Sequence, residues 1–470
     1  MYGKGVLAIL LKFNHMIKDD KSKYTVSSKW ILRKDNYYHT KHTLYNVETR
    51  IIMNLSPALY CIIKILYYNS LSMNELSNYL NKNGIFFDFS LLNEIMIKHN
   101  AKDLLVESYV SLHKPQYDYN QKINKNELVP ISTTPFDVEL HFTHSCNLCC
   151  THCFQNSSHN SDKSSHLSPE KWIEIFKQFE KLNMHNVIIS GGEPMFYEGF
   201  EKVMSHVVNL RLSYIILTNG MLVTPQNIHL FKHKNVQLTI SVDGHTSEIH
   251  EKIRGKNTFN KLDIILDLLV NNNVNINIAH TVNKINQSYI EEFIQYIKSK
   301  RIRSISFGII EHTGRANLNK KLLLTKNEEK MVYEKLCFLE KKYQKELSIN
   351  FPNLSYVQDG PDYSSENKVY CSAGTKRIAI NSAGELYPCI KAFGYDELKI
   401  GDLNITNIID LWLDSAKWTN YRGAISIDQV FQCCSCILKN SCALRNCRLG
   451  SYSKEFGLLG KPYNCLIDKL

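Results

Sequence analysis

Four cysteines lie within eight positions of the stretch HSCNLCCTHC, residues 144–153. Three of them, Cys146, Cys150 and Cys153, form the pattern C-x3-C-x2-C, and Cys149 falls outside it. Thiolates bind zinc, iron and iron–sulfur clusters, and closely spaced cysteines in a cytoplasmic protein indicate metal binding rather than disulfides. A structural zinc site would need a fourth ligand, which a neighbouring histidine could supply, so this pattern alone leaves zinc open.

A second group of cysteines lies in residues 366–470, which we interpret as one domain. Its members are Cys371, Cys389, Cys433, Cys434, Cys436, Cys442, Cys447 and Cys465. The tail after residue 430 shows little periodicity, so its folding is expected to depend on metal, and a pair of zinc sites would also explain this dependence. The two cysteines outside both groups, Cys61 and Cys337, lie in apolar helical patterns and are interpreted as core thiols.

Residues 135–320 must position the first group of cysteines, and they alternate between β-branched strand segments and amphipathic helices. Six such units predict an α/β fold with a parallel sheet, either a partial (β/α)6 barrel or a doubly wound sheet. The cysteine stretch follows the first strand, and GGEP, TNG and SVDG follow the second, third and fourth strands. Because ligands bind at the C-terminal ends of parallel strands, these motifs should meet at one rim.

The N-terminal residues 1–115 show a different pattern, in which short strands precede helices that start near Ser56 and Ser72. This order predicts a winged helix-turn-helix domain. Residues 116–134 are polar and are interpreted as a linker. The charged segment 321–365 is interpreted as a helical connector between the second and third domains.

The composition is that of an ordinary globular protein, with 470 residues, 44% hydrophobic content and a formal net charge of +11. No segment has the roughly 18 consecutive apolar residues of a membrane-spanning helix, and the apolar run near the N-terminus lacks a cleavage site. We therefore expect a cytoplasmic protein without a membrane partner. The basic excess suits acidic partners but does not require nucleic acid.

The cysteine pattern together with GGEP resembles the motifs of radical S-adenosylmethionine (SAM) enzymes. The resemblance implies that Cys146, Cys150 and Cys153 hold a [4Fe–4S] cluster whose fourth iron binds SAM, and it leaves Cys149 as a spare thiol. The residues that it assigns to SAM are Gly191, Gly192, Glu193 and Pro194 for the amino group, Ser241 and Asp243 for the ribose, and Arg254 for the carboxylate.

The second group of cysteines resembles the SPASM extension of a subset of these enzymes, which carries two auxiliary [4Fe–4S] clusters. The resemblance assigns Cys433, Cys436, Cys442 and Cys465 to one cluster, and Cys371, Cys389 and Cys447 to the other. Four residues separate Cys442 from Cys447, where the family usually has three, and Cys434 leaves the register beside Cys433 open. SAM and three [4Fe–4S] clusters are therefore the expected cofactors.

Residues 1–115 resemble the RiPP recognition element, a small domain that binds the leader peptides of ribosomally made natural products. The alternative is a DNA-binding helix-turn-helix. Arginine is the usual reader of bases, and this region holds only Arg33 and Arg50. Leader binding is therefore the preferred interpretation, with no nucleic-acid partner.

The three parts together resemble the sactipeptide maturases, which join a cysteine sulfur to the α-carbon of another residue. The resemblance implies a precursor peptide with a leader and a cysteine-containing core, and an electron donor such as flavodoxin or ferredoxin. The SAM-derived radical would take an α-hydrogen, a cysteine thiolate would attack, and an electron would return to an auxiliary cluster. Bonds to β- or γ-carbons, carbon–carbon crosslinks and sulfatase-type formylglycine formation stay open, as does a zinc-containing binding protein.

Overall fold

The chain divides into two compact units, Met1–Ile123 and Asn124–Leu470. No helix in the described part of the chain is both long and apolar enough to cross a membrane. The computed structural model describes residues 22–34, 42–82, 92, 96–98, 101, 103–107, 132–159, 166–351, 368–370, 372–436, 439, 447–461 and 465.

The N-terminal unit is built on two small antiparallel sheets, in which β2, β3 and β4 pair in that order and β1 pairs with β5. Ser56 begins the first helix by accepting a hydrogen bond from the Leu59 N–H (3.3 Å). The last helix of the predicted winged helix-turn-helix lies largely outside the described residues, so that assignment stays a prediction. The described elements are β1 (Tyr24–Val26), β2 (Trp30–Lys34), β3 (His42–Asn46), β4 (Ile52–Asn54), α1 (Pro57–Tyr68), α2 (Met73–Lys82) and β5 (Leu105–Glu107).

The first part of the second unit is an α/β fold, as the alternating pattern predicted. Its elements are β6 (Asp137–His141), α3 (Pro169–Lys181), β7 (Asn186–Ser190), α4 (Phe200–Val207), β8 (Ser213–Thr218), β9 (Val236–Ser241), α5 (Ser247–Arg254), α6 (Phe259–Asn271), β10 (Ile276–Val282), α7 (Ile290–Ser299), β11 (Ser304–Ile309), α8 (Gly314–Leu318), α9 (Lys326–Tyr343) and β12 (Ser348–Asn350). Strands β6 to β11 lie side by side in chain order, and all their pairings are parallel.

The strand β12 is a difference from the sequence analysis, because it lies within the segment 321–365 that was interpreted as a helical connector. That segment does contain the long helix α9, but β12 then pairs in parallel with β11 and adds a seventh parallel strand. A strand of three residues, of which only Ile349 is buried, is too short to give a recognisable pattern.

Helix α3 shows how the sequence builds the layer that covers the sheet. Ser168 accepts a hydrogen bond from the Lys171 N–H (3.2 Å), and proline follows at the first helical position. Its buried side chains recur at helical spacing and pack one face onto the sheet: Trp172, Ile175, Phe176 and Phe179. The remaining face is charged and exposed, so this helix has one possible orientation on the sheet.

The C-terminal part extends the same sheet, since β14 pairs in parallel with β6 and continues through the hairpin to β15 and β16. The two helices that follow this hairpin are separated at Asp414. The elements are β13 (Lys368–Tyr370), β14 (Arg377–Ile380), β15 (Glu385–Tyr387), β16 (Gly401–Asp402), α10 (Ile408–Leu413), α11 (Ser415–Trp418) and β17 (Arg422–Ser426).

Candidate active site at the rim of the parallel sheet

Four motifs meet at one rim because their strands are in register. The end of β6 lies beside the end of β7, with His141 opposite Ser190, and Thr218 of β8 lies opposite Ile240 of β9. The loop after each strand therefore emerges on the same side. This arrangement brings together the cysteine stretch, GGEP, TNG and SVDG, as the order of strands and motifs predicted.

The cysteine loop, defined as residues 143–158, contains four thiols that differ in solvent exposure. Cys146 and Cys150 are each 8% exposed, Cys153 is partly buried, and Cys149 is exposed. The Cys146 N–H donates to the Ser158 carbonyl (3.0 Å), which closes the loop on itself. The three thiols of the C-x3-C-x2-C pattern are thus the sheltered ones, which is what the spare-thiol interpretation of Cys149 expects.

The surroundings of these thiols suit an iron–sulfur cluster. Burial raises the pKa of Cys146 to about 12 and also raises the pKa of Cys150, so both thiols stay protonated unless a metal centre takes up the sulfur. Two N–H groups point at the Cys146 sulfur, from Leu148 (3.4 Å) and from the Asn219 side chain (3.8 Å). Hydrogen bonds of this kind stabilise cluster thiolates.

A single zinc ion finds no such support. In the described parts of the chain, no three His, Cys, Asp or Glu side chains converge in a way that could hold one metal ion. Zinc needs about four ligands arranged tetrahedrally around one point.

The two glycines of GGEP bring the end of β7 against the cysteine loop. Gly191 has a φ of +131°, and a Cβ at that position would collide with the Thr143 carbonyl oxygen. A Cβ at Gly192 would collide with the Ser145 carbonyl oxygen. The Gly192 N–H donates to the Thr143 carbonyl at 2.8 Å. The resemblance assigned these glycines to SAM, and the structure shows that they permit close approach of the loop backbone.

Glu193 is a buried carboxyl group behind the cysteine loop. It accepts hydrogen bonds from the Thr218 hydroxyl (2.7 Å), the Asn219 N–H (2.8 Å) and the Met195 N–H (3.3 Å). Burial nevertheless raises its pKa to about 7. The neighbouring Pro194 is buried and begins a short turn. A cationic amino group placed against Glu193 would favour the ionised form, so the carboxyl group suits the amine of an amino acid.

Asp243 and Arg254, which the resemblance assigned to the ribose and the carboxylate of SAM, contact each other. Arg254 Nε donates to Asp243 Oδ2 at 2.6 Å, and His152 Nε2 lies 3.2 Å from the same oxygen. Burial alone would raise the pKa of Asp243, but the charge of Arg254 and the contact with His152 hold it well below its usual range. Arg254 Nη1 also lies 3.9 Å from the Cys150 sulfur. Ser241 ends β9 nearby and is half-buried.

The structure adds three residues to which the sequence analysis gave no role in SAM binding. Asn219 links Glu193 to the loop, because its amide also donates to Asn147 Oδ1 at 2.8 Å. His152 contacts Asp243, and Arg315 Nε donates to the Cys150 carbonyl at 2.7 Å. The TNG motif was a signal for Asn219, whereas Arg315 lies in a segment with no recognised motif.

The auxiliary-cluster cysteines are only partly described. Cys371 and Cys442 lie outside the described residues, so both proposed ligand sets stay predictions. Cys434 is exposed. The remaining predicted ligands are partly buried: Cys389, Cys433, Cys436, Cys447 and Cys465.

Comparison with known families agrees with the fold and the rim. Residues 140–297 match the Radical SAM superfamily, and the chain is a radical SAM enzyme. Residues 371–447 match SPASM, an iron–sulfur cluster-binding domain, so the enzyme carries this domain after its radical SAM core. SAM and iron–sulfur clusters are accordingly its cofactors.

Curated relatives are about a quarter identical to this chain over the aligned residues. The AdoMet-dependent heme synthase of Oleidesulfovibrio alaskensis is 24% identical over 66% of this chain and 82% of its own length. The PqqA peptide cyclase of Rhizobium meliloti is 22% identical over 65% and 81%. The antilisterial bacteriocin subtilosin biosynthesis protein AlbA of Bacillus subtilis is 25% identical over 59% and 60%.

Solved structures show the same fold over most of the chain. Streptococcus suis SuiB bound to its precursor peptide SuiA superimposes with a TM-score of 0.69 at 15% identity, covering 91% of this chain and 96% of SuiB. The structure of anSMEcpe with bound AdoMet gives a TM-score of 0.54 at 21% identity, over 71% of this chain and 92% of that one.

Proposed function

We propose that this enzyme forms thioether crosslinks between cysteine sulfurs and α-carbons in a ribosomally synthesised precursor peptide. The observation that carries the proposal is the combination, in one chain, of a radical SAM rim, a SPASM domain and an N-terminal unit in which β4 is an edge strand of the described sheet. Relatives that act on peptides support it, since the PqqA cyclase is named for its peptide and SuiB was solved with a precursor peptide.

At the rim, Cys146, Cys150 and Cys153 would hold one [4Fe–4S] cluster, and the C-terminal cysteines would hold two more. Together with SAM and an electron, such a cluster supplies a 5′-deoxyadenosyl radical that can take a hydrogen atom from carbon. The chain itself binds and orients. Glu193 would receive the amino group of SAM, and the side chains around it exclude water from the reacting centre. A flavodoxin or ferredoxin would supply the electron.

The N-terminal unit would bind the leader of the precursor. Strand β4 pairs on one side with β3 and ends its described sheet on the other. Its residue Ile52 is 48% exposed, while Met53 faces the core. A leader strand could add to this edge by main-chain hydrogen bonds, with Ile52 offering an apolar contact. The leader would then bring the core peptide near the rim.

The deciding experiment uses the anaerobically reconstituted enzyme, SAM, a reductant and a cysteine-containing candidate precursor, sought among the short reading frames beside the gene. Each thioether removes two hydrogens from the peptide: the radical takes the α-hydrogen, the thiol proton goes to solvent, and one electron returns to an auxiliary cluster. We expect this mass loss together with loss of the alkylatable thiol. Tandem mass spectrometry would then locate the bond on the α-carbon.

The alternatives give other products in the same assay. A carbon–carbon crosslink loses the hydrogens but keeps the thiol, and formylglycine formation removes the sulfur itself. A bond on a β- or γ-carbon differs from an α-thioether in fragmentation. Deletion of residues 1–115 should abolish modification of the full precursor and spare SAM cleavage without peptide. Full modification of the precursor by the enzyme that lacks residues 1–115 would contradict the proposed role of the N-terminal unit.

A further inference from the structure

The segment after β11 contacts the cysteine loop through one arginine. Arg315 Nε donates to the Cys150 carbonyl at 2.7 Å, and Nη2 donates to the Ser157 carbonyl at 2.6 Å. Its Nη1 lies 3.2 Å from Asn156 Oδ1. The guanidinium therefore bridges the middle of the cysteine loop and its end. A planar group with several fixed donors suits such a bridge better than a flexible ammonium.

The backbone of the same segment contacts the loop a second time. The Arg315 N–H donates to the Cys153 carbonyl at 3.0 Å. This contact depends on Gly314, which has a φ of +52° and where a Cβ would collide with the Cys153 and Phe154 carbonyl oxygens. Arg315 thus binds the carbonyl groups of two cysteines, Cys150 and Cys153, that bracket the C-x2-C half of the pattern.

A third contact joins this segment to the SPASM domain. Glu311 forms an ion pair with Lys391 (2.7 Å), and Lys391 lies two residues after Cys389. The Lys391 ammonium lies 6.0 Å from the centre of the Phe154 ring. The residues after β11 therefore lie against both the cysteine loop and the loop that follows a predicted auxiliary-cluster ligand.

We propose that Arg315 is a positioning residue that holds the cysteine loop in the shape needed to bind its cluster. The inference rests on the proposed role of Cys146, Cys150 and Cys153 as cluster ligands. Three thiolates must reach three irons of one cluster, so the loop backbone must keep its curvature to within a fraction of an ångström. Arg315 supplies that constraint because one guanidinium donates to the Cys150 and Ser157 carbonyl groups and so fixes the distance between two separate points of the loop.

The test compares Arg315→Ala with Arg303→Ala in the full-length enzyme. Arg303 is an exposed arginine at the opposite end of β11, so its variant controls for loss of a positive charge. Loss of an outer contact to a metal site typically weakens metal binding or activity roughly 10- to 100-fold. Arg315→Ala should therefore lose most of the EPR signal that responds to SAM and roughly one third of its iron, one cluster of three. The auxiliary-cluster signals should remain, and Arg303→Ala should match the wild type.

Two further measurements separate positioning from general damage to the fold. Added guanidinium should restore part of the SAM-responsive signal to Arg315→Ala but not to a variant without Cys146, Cys150 and Cys153. Arg315→Lys keeps the positive charge but not the planar guanidinium, so it should also lose the SAM-responsive signal. This variant takes the place of Arg315→Ala in the test if the alanine variant does not fold. Wild-type iron and SAM response in Arg315→Ala, or in Arg315→Lys, would overturn the inference.

The same set of variants distinguishes this inference from the proposed cluster site. If the variant that lacks all three loop cysteines keeps its iron and its SAM response, the cluster assignment itself fails. If that variant loses both while Arg315→Ala keeps both, only the role of Arg315 fails.

Discussion

The cysteine loop and the cysteine-rich tail after residue 430 are both expected to hold iron–sulfur clusters, but they differ in what fixes their backbone. The loop is bound by helices that follow strands of the sheet: Thr151 N–H donates to the Ile253 carbonyl of α5 (2.9 Å), and Arg315 of α8 donates to the Cys150 carbonyl (2.7 Å). In the described tail, several hydrogen bonds are local turns, such as Cys436 N–H to the Cys433 carbonyl (3.1 Å), and the longer-range bond from Phe431 N–H to the Leu459 carbonyl (2.9 Å) joins two parts of the tail itself.

This difference shows two ways of building a cluster site. Contacts with the rest of the protein define the path of the loop, namely strand register, close glycine contacts and buried side chains. Among the described residues, the apolar cluster beside the tail is small: Ile425, Ile427 and Val430 are buried, and Cys433 and Leu458 of the tail pack against them. We therefore expect the fold of the tail to depend on its metal. Removal of the loop cysteines should abolish activity and leave the loop folded. Removal of the tail cysteines should unfold the tail.

The largest expected effect comes from replacing Cys146, Cys150 and Cys153 together with alanine. SAM cleavage should become undetectable, while the sheet and the two auxiliary clusters remain, so iron should fall by roughly one third. The reverse change, Cys433→Ala with Cys436→Ala, should make the tail sensitive to protease and leave β6 to β11 protected. Iron analysis and limited proteolysis with mass spectrometry measure both. A tail that resists protease without its cysteines would contradict the comparison.

A second prediction concerns the close contact that shapes the cysteine loop. Gly192→Ala places a Cβ against the Ser145 carbonyl oxygen, and such overpacking costs about 1–3 kcal/mol. The variant should bind SAM and iron more weakly because the loop must shift. Gly308→Ala is the matched control, since a Cβ there meets no atom within 4 Å. Equal SAM binding by the two variants, measured by equilibrium binding, would show that the loop tolerates the shift.

A third prediction uses pH, because buried histidines occur in the sheet whereas residues 351–470 contain none. Burial lowers the pKa of His280 to about 4, and the ring lies 4.1 Å from that of Phe293. The unfolded chain, with an ordinary histidine pKa, binds this proton more readily than the folded chain. His280 therefore contributes stability that is complete above about pH 6.5 and is lost as pH falls toward about 4.

The measurement is the denaturation midpoint at about pH 7.5 and about pH 5. Between these two pH values, His280 alone should lower the free energy of unfolding by on the order of 2 kcal/mol. His280→Gln keeps a donor for the Val242 carbonyl, which lies 2.9 Å from Nδ1 in the wild type. The variant should show a smaller fall in midpoint between the two pH values. An unchanged fall would place the acid sensitivity elsewhere.

Much of the sheet could be predicted from the sequence, and its limits have physical causes. In strands β6 to β11, buried residues alternate with half-buried ones and none is exposed, and these strands appear in the sequence as β-branched runs between helices. Strand β12 is short and leaves no pattern, and the union of β14 with β6 depends on a tertiary contact. The strand order predicts that the motifs lie together at one rim, but it does not predict which side chains contact each other. Arg315 bonds to a carbonyl 165 positions away, and no local pattern encodes that pairing.

The smallest expected effect distinguishes adjacent cysteines in both regions. Cys149 is exposed, whereas Cys150 is buried beside Arg254. Cys149→Ala should change SAM cleavage by no more than about twofold, as surface substitutions usually do, whereas Cys150→Ala should abolish it. Cys434 is likewise exposed, so Cys434→Ala should keep its auxiliary clusters. Because exposure of Cys149 follows from a loop fixed by protein contacts, its register should hold with or without metal. If Cys149→Ala loses the cluster and Cys150→Ala keeps it, then metal binding changes the backbone path of the loop. The fold of the loop would then depend on metal, as we expect for the tail.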